Sequence, residues 1–224
     1  MSIFKNMKPS LDRHSLTVLR EVAAAILKRF ENDTEPRIIS ISGAGGSGKS
    51  TFCRLLADLL PCSAVLRLDD YRLPRHEREK GRILGSNPRA YDWDLARSHM
   101  RMIKEGKSFQ SPVYDDVRGL SGRTVLFNPG RFNLLDGELA GMDSLRPLTD
   151  LGIFIHSSLA VQFRGRFSRD TGERRYSLKR AVEVFVKSNL KDFWRFGIQG
   201  RRNADIVIQH SRDHRYHFSA NFRK

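Results

Sequence analysis

One run of residues constrains this chain more than any other: Gly43-Ala44-Gly45-Gly46-Ser47-Gly48-Lys49-Ser50. It fits the pattern G-x-x-x-x-G-K-S/T in full. Before it stands Arg37-Ile38-Ile39-Ser40-Ile41-Ser42, a β-branched run introduced by Glu35-Pro36, and after it Ser50 to Leu60 has helical periodicity and stops at Pro61. A strand feeding a glycine-rich loop that opens a helix is the setting the pattern requires. Glycines let successive backbone N–H groups curl around an anion, and the helix aims the positive end of its dipole at the same point. Gly43, Ala44, Gly45, Gly46, Ser47, Gly48, Lys49, Ser50 and the adjoining Thr51 are therefore the expected phosphate-binding set. Lys49 is expected to reach the outer phosphates of a nucleotide, and the Ser50 hydroxyl to meet Mg²⁺.

The periodicity around this unit predicts its setting. Ala64 to Leu68 reads as a second strand ending in Asp69-Asp70, so strand, helix and strand form a crossover that makes the sheet parallel. Residues 10 to 32 read as an amphipathic helix, with Leu11, Leu16, Leu19, Val22, Ala23, Ile26, Leu27 and Phe30 near helical spacing. Downstream, residues 72 to 88 read as loop, 94 to 105 and 178 to 196 as helices, and 124 to 127 as a short outlying strand. Phe132 to Leu135, Leu151 to Ile155 and Ala204 to Gln209 supply the third, fourth and fifth main strands. The alternation predicts a three-layer α/β P-loop NTPase fold, with a parallel five-stranded sheet and helices on both faces. A single domain over 1–224 is expected, with a helical extension over 1–36 and a basic tail over 210–224. His210, His214 and His217 lack paired metal-ligand spacing, so that tail is expected to be a terminal strand.

Composition narrows the classes. Of 224 residues, 39% are hydrophobic and 29% charged, a globular balance. No run reaches the roughly 18 apolar residues of a membrane span, and MSIFKNMKPS lacks the apolar core of a secretory signal, so a cytoplasmic location is expected. Cys53 and Cys62 are the only cysteines, too few for a disulfide framework, and are expected to be reduced. The formal charge of +15 suits phosphorylated ligands and polyanions alike; a small-molecule acceptor is favoured over nucleic acid. No Asn-Lys pair occurs, which argues against a GTPase, and Gly137 rather than Glu follows Asp136, which argues against motor-type ATPases. Acids at the ends of parallel strands, Asp69-Asp70 and Asp136, fall beside the bound phosphates, where one takes the proton of an attacking hydroxyl and another holds Mg²⁺ or its waters.

From Arg37 to Gln209 the chain resembles the uridine kinase, phosphoribulokinase and pantothenate kinase-like family of P-loop kinases. Besides the loop, the likeness rests on Asp69-Asp70-Tyr71, Pro88-Arg89-Ala90-Tyr91-Asp92, Pro112-Val113-Tyr114-Asp115, Gly165-Arg166-Phe167-Ser168-Arg169-Asp170 with Glu173-Arg174, and Ala204-Asp205-Ile206-Val207-Ile208. The resemblance implies an ATP- and Mg²⁺-dependent kinase acting on a hydroxyl of a small metabolite. It implies Asp69 as catalytic base, Ser50, Asp69 and Asp136 around the metal, and Asp92 and Tyr114 at the acceptor. It further implies Lys49, Arg166 and Arg169 as catalytic cations, the arginines on a lid over about 163–177.

Two departures bear on substrate. The family's Glu-Gly is Asp136-Gly137 here, and Asp116-Val117-Arg118-Gly119 follows where pyrimidine-binding members place a histidine, which disfavours uridine. Arg118, Arg123 and Arg131 suggest an acceptor that already carries a phosphate or carboxylate. A catalytically weakened nucleotide-binding regulator is the alternative. A nucleic-acid-directed kinase or binder is another, drawn from charge and from Tyr216, Phe218 and Phe222 among basic tail residues. A homodimer remains open.

Overall fold

The strand that leads into the glycines is β1, Arg37–Ser42, with the bounds its β-branching predicts, and the helix that leaves them is α2, Lys49–Leu59. The computed structural model describes residues 12–83 and 86–220. β1 lies at the centre of the main sheet, with β5 (Phe132–Asp136) on one side and β6 (Leu151–Ser157) on the other, both parallel to it. Outside them run β2 (Ser63–Arg67), parallel to β5, and β7 (Ile206–His210), parallel to β6. The order is β2-β5-β1-β6-β7-β8, so the five expected parallel strands are joined by a sixth, β8 (Tyr216–Ala220), which pairs antiparallel with β7. This is the terminal strand expected of the basic tail.

Successive side chains of a strand point to opposite faces, and both faces of β1 are covered. Ile39 and Ile41 pack with Leu19, Val22 and Ile26 of α1 (Arg13–Arg29) and with Phe52 and Leu56 of α2. Ile38 faces the other way, against Met100 and Ile103 of α4 (Trp93–Lys104). Of the helix expected over 10 to 32, residues 10 and 11 lie outside the described residues, as does Phe222. α1 is opened by Asp12, whose carboxylate accepts the Ser15 N–H at 2.8 Å.

Three expectations need correction. The expected loop 72 to 88 contains α3, Arg75–Lys80, whose first N–H is tied to the Gly119 carbonyl at 2.6 Å. Thr124 to Phe127 is the end of a longer strand, β4 (Leu120–Phe127), in an antiparallel hairpin with β3 (Phe109–Asp115). Pro112 hides β3 from a propensity reading, and it is tolerated because the pair has only edges. The helix from 178 starts as α6, Leu178–Phe185, and widens into a π-helical stretch over Val186–Gly197. Among the described residues no helix is long and apolar enough to cross a membrane.

The register places the site. Asp136 pairs with Ile41 on one side and Arg67 on the other, so β1, β2 and β5 end at one level and their loops converge there.

Candidate active site

Two glycines of the loop carry its shape. Gly46 and Gly48 have φ of 78° and 91°, in the left-handed region that favours glycine. A Cβ at Gly46 would run into the Gln162 carbonyl, and one at Gly48 would lie 2.7 Å from His210 Nδ1. The loop thus closes tightly, and Lys49, the first residue of α2, is only 5% exposed. The Ser47 hydroxyl is buried without a hydrogen-bond partner. Backbone amides at a helix N-terminus beside a buried ammonium form a cradle for phosphate oxygens.

Carboxylates face this cradle. Asp69 sits on the 3₁₀ turn Leu68–Tyr71 that follows β2, with Arg72 Nη2 2.7 Å from its Oδ1 and the Tyr91 hydroxyl donating to the same oxygen at 3.3 Å. Burial pushes its pKa up, but the charges of Arg72, Lys49, Arg174 and Arg169 outweigh that and hold the carboxyl well below the usual range. Asp136 moves the other way: burial raises it, only partly opposed by Lys49 and the Ser50 hydroxyl. Its Oδ1 is buried and accepts no hydrogen bond. Ser50, Asp136 and Asp69 offer oxygen donors only, and among the described residues no group of three or more His, Cys, Asp or Glu could hold a metal ion by itself. That donor set fits Mg²⁺, which takes few protein oxygens and completes its shell with phosphate and water.

The segment expected to form a lid, about 163–177, falls on α5, Leu159–Gly172, which is started by the Ser158 side chain, and on the turn after it. Its arginines fall into distinct environments. Arg166 is 3% exposed, with Nη1 3.1 Å from Glu138 Oε1 and 2.9 Å from Asn189 Oδ1. Arg174 is also paired, to Asp170 and to Asp116, each at 2.9 Å. Arg169 shares with both a shielded Nε that makes no hydrogen bond but differs in its electrostatics: burial, then the like charges of Arg174 and Arg166, lower its pKa, whereas that of Arg174 is raised. A shielded cation between two others is built to receive an anion.

Glu138 is a site residue that the sequence reading missed. It is 2% exposed, accepts from the Ser86 hydroxyl, and is held below the usual carboxyl range by Arg166 and Lys49 despite burial. The available signal was the alternation Asp136-Gly137-Glu138 at a strand end.

Two cavities meet at the loop. One, of about 410 Å³, is lined by Lys49, Ser50, Asp69, Asp136, Arg169 and Arg174. The other, of about 360 Å³, lies over Gly46, Thr51, Val161, Arg164 and His210 and shares Lys49, Ser50 and Arg169 with the first. Next to the larger cavity a small recess is walled by Arg72, Arg75, Arg78, Arg174 and Arg180, with the carboxylates of Glu79 and Asp116 among them, so part of its positive charge is balanced.

The residues expected at the acceptor do not gather in one place. Tyr114 is buried beside that recess, its hydroxyl accepting from Arg78 Nη2 at 2.6 Å. Asp92 is exposed and caps α4, accepting the Leu95 N–H at 3.0 Å. Arg118 and Arg123 are exposed on the β3–β4 hairpin. Arg131 lies at the far end of the sheet, donating to the Phe30 carbonyl at 2.7 Å. The arginines that do gather come from α3 and its flanks and from the turn after α5, segments far apart in sequence.

The model described as Phosphoribulokinase / Uridine kinase family matches residues 38–216. The chain is 30% identical over 196 residues to the chloroplastic phosphoribulokinase of Triticum aestivum, covering 78% of this chain and 48% of that one. It is 27% identical over 176 residues to the uridine kinase of Borrelia turicatae, covering 77% and 85%. The chain spans about half the length of the phosphoribulokinases it matches. Among solved structures, a candidate fructose transport system kinase from Silicibacter sp. TM1040 superposes with a TM-score of 0.70 at 20% identity, over 84% of this chain and 98% of that one, a likeness of fold.

Proposed function

The chain belongs to the phosphoribulokinase/uridine kinase family, and from that premise we propose that it is an ATP-dependent kinase that phosphorylates a hydroxyl of a small metabolite bearing an anionic group of its own. The observation that carries this reading is the junction of the two cavities at Lys49 and Ser50, with Asp69 and Asp136 on one side and the loop on the other.

In this reading ATP lies in the smaller cavity, its phosphates gripped by the amides of residues 43–51 and by the Lys49 ammonium. Ser50, Asp136 and Asp69 would hold Mg²⁺, which would supply charge neutralisation to the phosphates. The acceptor occupies the larger cavity with its hydroxyl against Asp69. That carboxylate stays ionised throughout the physiological range and is a weak base. Such a group suits a loose transition state, in which it orients the hydroxyl and takes its proton. Arg169 neutralises charge on the transferring group, and the lid keeps water out. The recess of Arg72, Arg75, Arg78, Arg174 and Arg180 takes the acceptor's own phosphate or carboxylate, because planar guanidinium forks match such oxyanions.

The test is an ADP-release screen over sugars, sugar phosphates, nucleosides and hydroxy acids, with Asp69→Asn as control. The expected result is turnover with an anionic acceptor and a loss of at least about 100-fold in the control, the scale of losing a general base. Equal rates in both proteins would refute the role of Asp69, and turnover confined to uncharged acceptors would refute the anionic one.

A further inference from the structure

His210 and Tyr216 carry no step of the chemistry above, although His210 also lines the smaller cavity, and both hold the phosphate loop through its carbonyls. His210, at the end of β7, has Nδ1 2.9 Å from the Ser47 carbonyl; a carbonyl only accepts, so Nδ1 carries the proton and donates. The Tyr216 hydroxyl, from the start of β8, donates to the Gly48 carbonyl at 3.1 Å. The two rings stack at 4.8 Å, and Tyr216 meets Phe52 of α2 edge-on at 5.1 Å. Both are buried, at 7% and 2% exposure. Behind them, the Tyr216 N–H donates to the Ser15 hydroxyl oxygen of α1 at 3.1 Å, and Arg215 Nε lies 3.3 Å from Asp12, the residue that caps α1. α1 precedes the span matched by the family, and β8 begins where that span ends.

A peptide unit is planar and trans, so its C=O and the following N–H point in opposite directions. Holding the Ser47 carbonyl therefore aims the Gly48 N–H away from β7, into the loop, and holding the Gly48 carbonyl does the same for the Lys49 N–H. These amides belong to the phosphate cradle. We infer that His210 and Tyr216 are positioning residues: with α1 and β8 they form a brace that presets the phosphate loop before nucleotide arrives. An amide already aimed at its ligand costs no ordering when the ligand binds. The contribution to nucleotide affinity rests on the kinase reading; the effect on the loop itself does not.

The experiment compares wild type with His210→Ala, His210→Asn and Tyr216→Phe. It follows amide hydrogen exchange of the nucleotide-free protein, equilibrium binding of Mg-ATP, and thermal melting. In His210→Ala and Tyr216→Phe the amides of residues 44–50 are expected to exchange at least about 5-fold faster while those of β1 and β6 keep their protection. Mg-ATP binding is expected to weaken by about 3- to 10-fold, the scale of one buried hydrogen bond. His210→Asn, which returns an N–H near the place of Nδ1, should recover most of both. Unchanged loop exchange in both variants overturns the brace, and so does a loss of protection that spreads equally through β1 and β6 with no rescue by Asn. A wild type that binds no ATP overturns the kinase reading, while its loop exchange still decides the brace.

Discussion

Arg166 Nη1 lies 3.1 Å from Glu138 Oε1, both side chains are at least 96% buried, and each has further partners, Asn189 for the arginine and Ser86 for the glutamate. The pair ties α5 to the end of β5, directly over Gly45. Removing one member of such a pair strands a buried charge. Glu138→Ala is expected to destabilise the fold by about 3 kcal/mol, or about 6–12 °C in melting temperature. Glu138→Gln combined with Arg166→Met is expected to cost less than Glu138→Ala alone. Melting curves of the variants decide it; a shift under about 2 °C for Glu138→Ala would show that the pair does not hold α5 to the sheet.

Asp136 predicts an opposition between stability and activity. Its carboxyl is buried, its pKa is raised by that burial, and Oδ1 accepts no hydrogen bond, so the charge is carried at a cost to the fold. Asp136→Asn removes the charge at nearly constant volume. The variant is expected to melt higher, by the order of 1 kcal/mol, while Mg²⁺-dependent turnover falls at least about 10-fold. A lower melting point with full activity would contradict the assignment.

The arginine recess makes a prediction about substrate constants. Arg75→Met with Arg180→Met should raise KM for the acceptor by about 10-fold or more and leave KM for ATP within about twofold, since charge-assisted bonds to an oxyanion contribute roughly 1.5–3 kcal/mol. Arg118→Met and Arg123→Met, on the exposed hairpin, should alter neither. Steady-state kinetics on the best acceptor distinguishes the two sets. Equal effects from both would mean that a diffuse field, not the recess, attracts the acceptor.

Histidines set the pH response. His99, His156 and His210 all have pKa values lowered, first by burial. For a base with a depressed folded pKa, the unfolded chain binds protons that the folded chain refuses, so νU exceeds νN and stability falls with falling pH. The loss begins near the unfolded value of about 6.5. Melting temperature is expected to drop between about pH 6.5 and 5.5, and the slope to shrink in His99→Gln. A melting temperature that is flat or rises on acidification across that window would refute the burial account.

What the chain determined locally was read with bounds good to about a residue: β1 over Arg37–Ser42, the loop that turns on Gly46 and Gly48, and α2 from Lys49. The determinants there are neighbours in sequence, namely β-branching, glycine at positive φ and the helix dipole, so periodicity and residue type suffice. Where the determinants are distant, reading failed in a consistent way. Pro112 hid β3, which exists because β4 pairs with it. Arg118, Arg123 and Arg131 are near one another in sequence yet do not share a cavity, while Arg72, Arg75, Arg78, Arg174 and Arg180 are brought to one recess by the packing of distant segments. Arg166 and Glu138 meet across 28 residues of chain, and His210 and Ser47 across 163. Contacts over such separations depend on strand order and crossover path, and these follow from the packing of the whole sheet. The sequence alone determined where the glycine turn and the helix that leaves it would form, between Gly43 and Thr51; the tertiary structure decided which charged side chains meet there and which of them are paired, because those contacts join distant segments.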